Sequence, residues 1–279
     1  MNKKNIMIIG AGGSLGKILI SSLLKDYNKV IGIDINENSL AYLHRVYRVP
    51  ETQIYIEDLR DFSKIVSIID HNKIDLVINC AALKHVLWCE YNIKHAIDIN
   101  IVANLELINY LSKNNKDFIF ISSDKAVNPQ NIYALTKQFT DYIVKFYNFK
   151  LVRGVNFFNS HGSVLNVWEE QRKRGEPFTV VKDNECNRFF ITIPQMVNIV
   201  REAIEDKSDK NEYVPKLVYQ IGIRNLFNAY LKINNIIKYD VHSIYLSDTE
   251  KISEELNFLP KIIQLEDIDD IAEVLNKIY

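Results

Sequence analysis

Apolar residues in the first half of the chain fall in short, nearly continuous runs (IMIIG, LVINCAA, FIFISS). Between these runs they recur every three or four residues. Runs of the first kind suit strands buried on both faces, and the spacing between them is that of helices packed on a sheet. The pattern predicts strands over Asn5–Ile9, Lys29–Asp34, Gln53–Ile56, Asp75–Cys80, Asp117–Ser122 and Lys150–Asn156. It predicts helices over Ser14–Leu24, Phe62–Asp70, Ala96–Ser112 and Ile132–Tyr147. Alternation of this kind, with right-handed crossovers, specifies an α/β fold with a doubly wound parallel sheet and a ligand crevice at the strands' C-terminal ends. Beyond Asn156 the pattern loosens. Asn159–Pro177 and Asp183–Arg188 read as loop and cap elements, Ile193–Ile204 as a helix and Leu217–Gly222 as a strand. The polar tail from about Asn234 is expected to complete a small C-terminal substrate-binding lobe.

The first predicted strand runs directly into Gly10-Ala11-Gly12-Gly13-Ser14-Leu15-Gly16 and then a helix. Gly10, Gly13 and Gly16 form GxxGxxG, a spacing associated with short-chain dehydrogenases on a Rossmann-type sheet. Without side chains these positions permit a tight turn and close approach of a pyrophosphate to the helix N-terminus, where amides and the macrodipole favour anions. Ser14 and Leu15 complete the expected cradle. Asp34 ends the second strand, where a carboxylate accepts hydrogen bonds from both adenosine ribose hydroxyls and repels a 2′-phosphate. That favours NAD over NADP. Asp58 and Leu59, after the third strand, and Ala81, after the fourth, are further expected cofactor contacts.

The fifth strand delivers Ser122-Ser123-Asp124-Lys125, and Tyr133-Ala134-Leu135-Thr136-Lys137 opens the next helix. Tyr133 and Lys137, at i and i+4, share a helix face. An ammonium at that spacing is expected to lower the phenol's pKa, so that Tyr133 can exchange a proton with a sugar hydroxyl while a nicotinamide exchanges hydride. YxxxK alone occurs often by chance; behind a strand ending in Ser-Ser, and after the glycine loop, it acquires meaning.

The charge balance, 34 basic against 35 acidic residues, gives no electrostatic footprint for nucleic acid or an acidic membrane. An anionic ligand must therefore be held by a local site. Cys80, Cys89 and Cys186 are odd in number and lack CxxC spacing, so they read as reduced thiols of a cytoplasmic protein, with no metal site. The N-terminal apolar run is too short for a signal peptide, and no stretch reaches membrane-spanning length.

The stretches AALKHVLWCEYN, SSDKAVNPQNIYALTK, NSHGSV, NRFFIT and NEYVPK resemble bacterial UDP-N-acetylglucosamine 4,6-dehydratases. These are extended short-chain dehydrogenase/reductase enzymes of amino-sugar and surface-polysaccharide synthesis, including the branch leading to pseudaminic acid. The likeness runs from about Ile6 to Lys216. It implies that Tyr133 takes the 4-hydroxyl proton, Lys137 orients the nicotinamide ribose and Ser123 hydrogen-bonds the reacting oxygen. Lys125 then acts as base at C5 and Asp124 as acid for the departing 6-hydroxyl, giving a 4-keto-6-deoxy sugar with NAD regenerated. The resemblance further implies that Lys84, Asn156, Ser163 and Arg188 contact a UDP-linked N-acetylamino sugar. His85, Asn100, Trp88 and Tyr91 stand between structural and ligand roles. A homodimer through Ala96–Ser112 and Ile132–Tyr147 is the family arrangement.

Together these readings divide the chain into an NAD-binding unit, 1–156 with 191–228 returning to it, and a nucleotide-sugar lobe of 157–190 and 229–279. The likeness also breaks in places. Ser247-Asp248-Thr249 precede Glu250-Lys251 where such dehydratases carry Arg-Pro-Gly, and the chain ends at Tyr279, earlier than the family leads one to expect. Two alternatives to the full dehydratase therefore stand. One is a relative that oxidises C4 and reduces C6 of a 5,6-unsaturated UDP-amino sugar; the other is a non-catalytic NAD-binding scaffold. Intact Ser123, Tyr133 and Lys137 weigh against the second.

Overall fold

The computed structural model describes residues 3–182, 185–246, 250 and 254–278. Strand β1 (Asn5–Ile9) shows why the first sheet forms: Ile6 and Ile8 enter one apolar cluster, Met7 and Ile9 another on the opposite face. Flanking it are β2 (Lys29–Asp34), β3 (Ile54–Ile56), β4 (Leu76–Asn79), β5 (Asp117–Ser123) and β6 (Lys150–Gly154), with β10 (Glu212–Tyr213) at one edge. All pair in parallel, in the order β10-β6-β5-β4-β1-β2-β3. The winding direction reverses between β1 and β4, which opens the crevice of a Rossmann-type fold at that point.

One face is covered by α1 (Ser14–Leu23), α2 (Glu37–Tyr47) and α9 (Ile193–Glu205), through Leu15, Leu19, Leu40, Leu43, Met196 and Val200. The other is covered by α3 (Phe62–His71), α6 (Ala103–Lys113) and α7 (Ile132–Phe146), through Ile65, Ile69, Leu107, Leu111 and Val144. Helix α2 went unpredicted because it buries only Leu40 and Leu43, too few apolar positions to set a period. The expected single helix over Ala96–Ser112 is broken. A short α5 (Ile93–Ile97) leads into a π turn, Asp98–Val102, and then α6. There the Asn100 carbonyl accepts from Thr140 Oγ1 and Asn104 Nδ2, side-chain donors that compete with the regular backbone ladder.

The second lobe is more ordered than its sequence promised. Within the expected loop Asn159–Pro177 lies α8 (Val164–Arg174), capped by Ser163 and stopped by Gly175 at φ 66°. It buries only Leu165 and Trp168, so its apolar face is nearly invisible in sequence. Strands β7 (Asn156–Phe157), β9 (Asn187–Ile191), β11 (Leu217–Gly222) and β13 (Lys261–Leu265) form a sheet in the order β13-β11-β9-β7. A two-stranded sheet pairs β8 (Phe178–Val181) with β12 (Val241–Ile244). With α10 (Ile223–Ile233) and α11 (Ile268–Asn276) they enclose a core of Phe158, Trp168, Phe178, Phe227 and Tyr230.

Two expectations are corrected. Of segment 191–228, α9 and β10 return to the first sheet, whereas β11 and α10 belong to the second lobe's sheet and core. The expected cap element Asp183–Arg188 ends inside β9, since Asn187 and Arg188 pair with Gly222 and Ile221; Asp183 itself lies outside the described residues. Among the described residues no helix is long and apolar enough to cross a membrane.

Candidate active site

The glycine loop is tightly constrained. Gly10 has φ +79°, and a Cβ there would sit 2.7 Å from Ala81 N. A Cβ on Gly16 would lie 2.1 Å from Gly10 O, so α1 approaches the end of β1 only because residue 16 lacks a side chain. Gly13 caps α1 with no side chain, and Ser14 and Leu15 form its first turn. Asp34 faces this loop: Oδ2 accepts from Gly12 N and Oδ1 from Asn36 N, both at 2.9 Å. Gly12, outside the GxxGxxG reading, is thus part of the cradle; a Cβ there would be 2.5 Å from Ser39 Cβ. Each carboxylate oxygen retains acceptor capacity. The Arg60 guanidinium holds the Asp58 carboxyl below its usual range, Leu59 is buried, and Ala81 N donates to Asn79 Oδ1. Gly10, Gly12, Gly16, Asp34 and Ala81 are thus brought together at the C-terminal ends of β1, β2 and β4.

Tyr133, Ser123, Asp124 and Lys125 converge beside that cradle because β5 ends where α7 begins. Asn131 caps α7, and Glu90, from the short helix α4 (Val86–Tyr91), accepts from Ile132 N. Burial pushes the Tyr133 phenol up, while the Lys125 ammonium and a hydrogen bond with Ser123 pull against that rise. This corrects the expectation attached to the Tyr-Lys spacing. Lys137 Nζ donates to Ile121 O at 2.8 Å and lies over the Phe120 ring, so Lys125 is the cation that acts on the phenol. Burial also brings Lys137 down to about 8, against an opposing pull from Asp141.

Asp124 is 2 % exposed, and burial together with the Glu254 charge raises its carboxyl well above the ordinary range. Its Oδ1 accepts from Ser123 Oγ and Lys125 N, whereas Oδ2 is buried and meets no hydrogen-bond partner among the described residues. Burial by itself would lower Lys125, but Asp124 and Glu254 overcome it and hold the ammonium above its usual value. Both side chains line a cavity with Val86, Arg188, Glu250 and Glu254.

Of the four expected substrate residues, Arg188 lines the cavity and Asn156 meets Lys125. Lys84 Nζ donates to His161 O at 2.7 Å, and His161 N donates to Ser14 Oγ, so the loop between β7 and α8 is tied across the glycine cradle. The ring of His85 packs against Gly162, where a Cβ would lie 2.7 Å from Cε1. Ser163 Oγ caps α8 by accepting from Asn166 N, which leaves its O–H free to donate. Asn156 Oδ1 accepts from Lys125 Nζ at 3.0 Å, and Arg188 Nε lies 3.7 Å from Glu254 Oε1. Buried Asn100 bonds both Leu83 N and O and reaches Thr136 Oγ1, pinning the Lys84 loop to α7. Trp88 and Tyr91 are exposed. Burial raises the Cys80 and Cys89 thiols to about 12 and about 11, and Cys186 is buried, so these are not activated nucleophiles.

Two residues were missed from sequence. Buried Arg153 bonds Ser123 O, Asp141 and Glu212, bracing the end of β5 from behind. Glu254 reaches Lys125 from 129 positions away. No local pattern marks either, because each is defined by partners distant in sequence. Of the altered segment before Glu250, residues 247–249 and Lys251 lie outside the described residues.

A Rossmann-type sheet with a glycine loop after β1, and with Ser123 and Tyr133 at the adjoining ends of β5 and α7, gives the chain the short-chain dehydrogenase/reductase fold. More particularly, the chain belongs to the polysaccharide biosynthesis protein family, which matches residues 6–275. It is 31% identical to an uncharacterized membrane protein of Methanocaldococcus jannaschii, over 97% of this chain and 85% of that one. It is also 31% identical to the inverting UDP-N-acetylglucosamine 4,6-dehydratase of Campylobacter jejuni, over 77% of this chain and 68% of the relative. Among solved structures, Pen from Bacillus thuringiensis superposes with a TM-score of 0.83 at 28% identity, covering 91% of this chain and 84% of Pen.

Proposed function

We propose that the protein is an NAD-dependent UDP-N-acetylglucosamine 4,6-dehydratase, forming a UDP-4-keto-6-deoxy-N-acetylhexosamine with or without inversion at C5. The Campylobacter jejuni relative's name supports the substrate, and the glycine cradle with Asp34 supports NAD. Held by the glycine loop and Asp34, NAD would supply the hydride-transfer chemistry between C4 and C6.

The observation that carries the reading is Asp124. A buried carboxylate with an unpartnered oxygen is costly, whereas a carboxylic acid places its proton there and donates it. An acid at that position, next to Tyr133 and Lys125, suits departure of a 6-hydroxyl as water. Tyr133 takes the 4-hydroxyl proton while Ser123 holds the oxygen, and Lys125 exchanges the C5 proton. Gly10, Gly13, Ser14, Leu15, Gly16, Asp34, Asp58, Leu59, Ala81 and Lys137 serve the cofactor; Lys84, Asn156, Ser163 and Arg188 serve the nucleotide sugar. The enzyme is read as cytoplasmic. A homodimer is supported by a stripe of exposed apolar residues on α7, Leu135, Phe139, Tyr142 and Phe146.

A second reading has its own support. Lys125 is held as an ammonium, and an enzyme that only isomerises a 5,6-unsaturated UDP-amino sugar through C4 oxidation and C6 reduction needs Lys125 solely as a proton donor to C5. The purified protein should be given UDP-N-acetylglucosamine in heavy water and the products followed by NMR. A 4-keto-6-deoxy sugar deuterated at C5, with no net NADH, is expected. Inert UDP-N-acetylglucosamine with conversion of the 5,6-unsaturated sugar selects the second reading; inertness to both, in folded and NAD-loaded protein, overturns the proposal.

A further inference from the structure

Glu254 is 6 % exposed in its side chain and fully engaged. Oε1 accepts from Lys125 Nζ at 2.8 Å and Asn156 Nδ2 at 2.9 Å; Oε2 accepts from Phe189 N at 2.9 Å and Asn156 Nδ2 at 2.8 Å. Asn156 in turn bonds Phe189 O and accepts from Lys125, so β7, β9 and the C-terminal segment meet at one carboxylate. A buried carboxylate with three donor groups at hydrogen-bond distance is a built feature and not a surface ion pair. We propose that Glu254 is a positioning residue: it fixes the Lys125 side chain beside Asp124 in cationic form, so that Lys125 enters the reaction as a proton donor to carbon. The inference rests on the second of the two readings, in which Lys125 only donates to C5; a full dehydratase would first need it as the neutral base that takes the C5 proton.

The charges that decide the point come from every element packed around Lys125. Asp124 adjoins it in sequence, Glu254 meets it from the C-terminal segment and Tyr133 from α7, while Arg188 of β9 lies against Glu254. Glu250 and Glu255 line the same cavity. Asp124 and Glu254 both hold Lys125 above its usual value, and Glu254, itself held below its ordinary range, also accepts a hydrogen bond from Lys125 Nζ. The step is balanced without a further reagent. An N–H bond of Lys125 breaks, a C5–H bond forms from the enolate's electron pair, and the enolate becomes the 4-ketone. The neutral amine then regains a proton from water.

The test reads Lys125 directly and needs no substrate. Intact protein is acylated with a lysine reagent across a pH series, and the modification midpoint of Lys125 is read by mass spectrometry against solvent-exposed lysines. In the wild type Lys125 should be modified at a higher pH than those lysines. Glu254→Gln keeps the side chain's shape and removes its charge, and should move the midpoint down by about one pH unit or more, tenfold in the amine fraction at a given pH. Glu254→Asp keeps the charge and should largely restore it. Circular dichroism and NADH binding establish that the variants fold. An unchanged midpoint in folded Glu254→Gln overturns the proposal. If that variant does not fold, a wild-type midpoint at or below that of the exposed lysines overturns it equally. Because no sugar is present, failure here is distinct from failure of the dehydratase reading, which the product analysis tests separately.

Discussion

Replacing Lys137 with methionine is expected to abolish turnover and yet make the ligand-free protein more stable at neutral pH. Lys137 is 5 % exposed, and burial brings its ammonium from 10.5 to about 8. That difference corresponds to roughly 3 kcal/mol of disfavoured charge, at about 1.4 kcal/mol per pH unit. Methionine fills a similar unbranched volume but loses the hydrogen bond to Ile121 O, a loss of about 1 kcal/mol. The net gain is therefore roughly 2 kcal/mol. The sign depends on pH. Below about 8 both folded and unfolded chains carry the ammonium, so the penalty is fully present. Between about 8 and 10.5 the folded protein releases the proton first, and wild-type stability rises relative to the variant; above 10.5 only the lost hydrogen bond remains and the variant becomes the weaker. Urea unfolding of both proteins across that range measures the difference, with product analysis for turnover. A variant less stable than wild type at pH 7, or a difference that does not change with pH, refutes the reasoning. Either result means that the charge is accommodated at no cost.

Asp34→Ala should weaken NADH binding about ten- to a hundredfold, since the carboxylate both orders Gly12 and Asn36 and is placed for the ribose diol. The preference over NADPH should narrow, as read by fluorescence titration; a wild-type preference for NADPH contradicts the assignment. Tyr133→Phe should lower the rate of C4 oxidation about a hundred- to ten-thousandfold while thermal unfolding and nucleotide binding stay near wild type. Turnover within a few-fold of wild type assigns the 4-hydroxyl proton to another group.

The sequence by itself determined the first lobe. Strands β1, β2, β4 and β5 are nearly continuous apolar runs and the glycine loop is a local steric requirement, so for these a window of a few residues carries the information, whereas α2 and the two-residue β10 offer no such run. Gly10 and Gly16 are legible for that reason: a Cβ at either meets backbone of the same turn or of the next strand. Ser123, Asp124, Lys125, Tyr133 and Lys137 were legible as residue types on two adjoining elements. Their electrostatics were not. Helical spacing brings Tyr133 and Lys137 to one face, but the long lysine chain ends at Ile121 O, and the phenol meets Lys125 from another element. In the second lobe the elements are short and bury few residues each, as with Leu165 and Trp168 on α8, so periodicity had nothing to report. Only tertiary structure placed β11 beside β9, brought Glu254 onto Lys125 and left Asp124 Oδ2 buried with no partner among the described residues. The physical reason is common to all three. Local pattern encodes which face of an element is apolar, whereas the protonation state of a buried group is set by charges and desolvation supplied by segments far away in the chain.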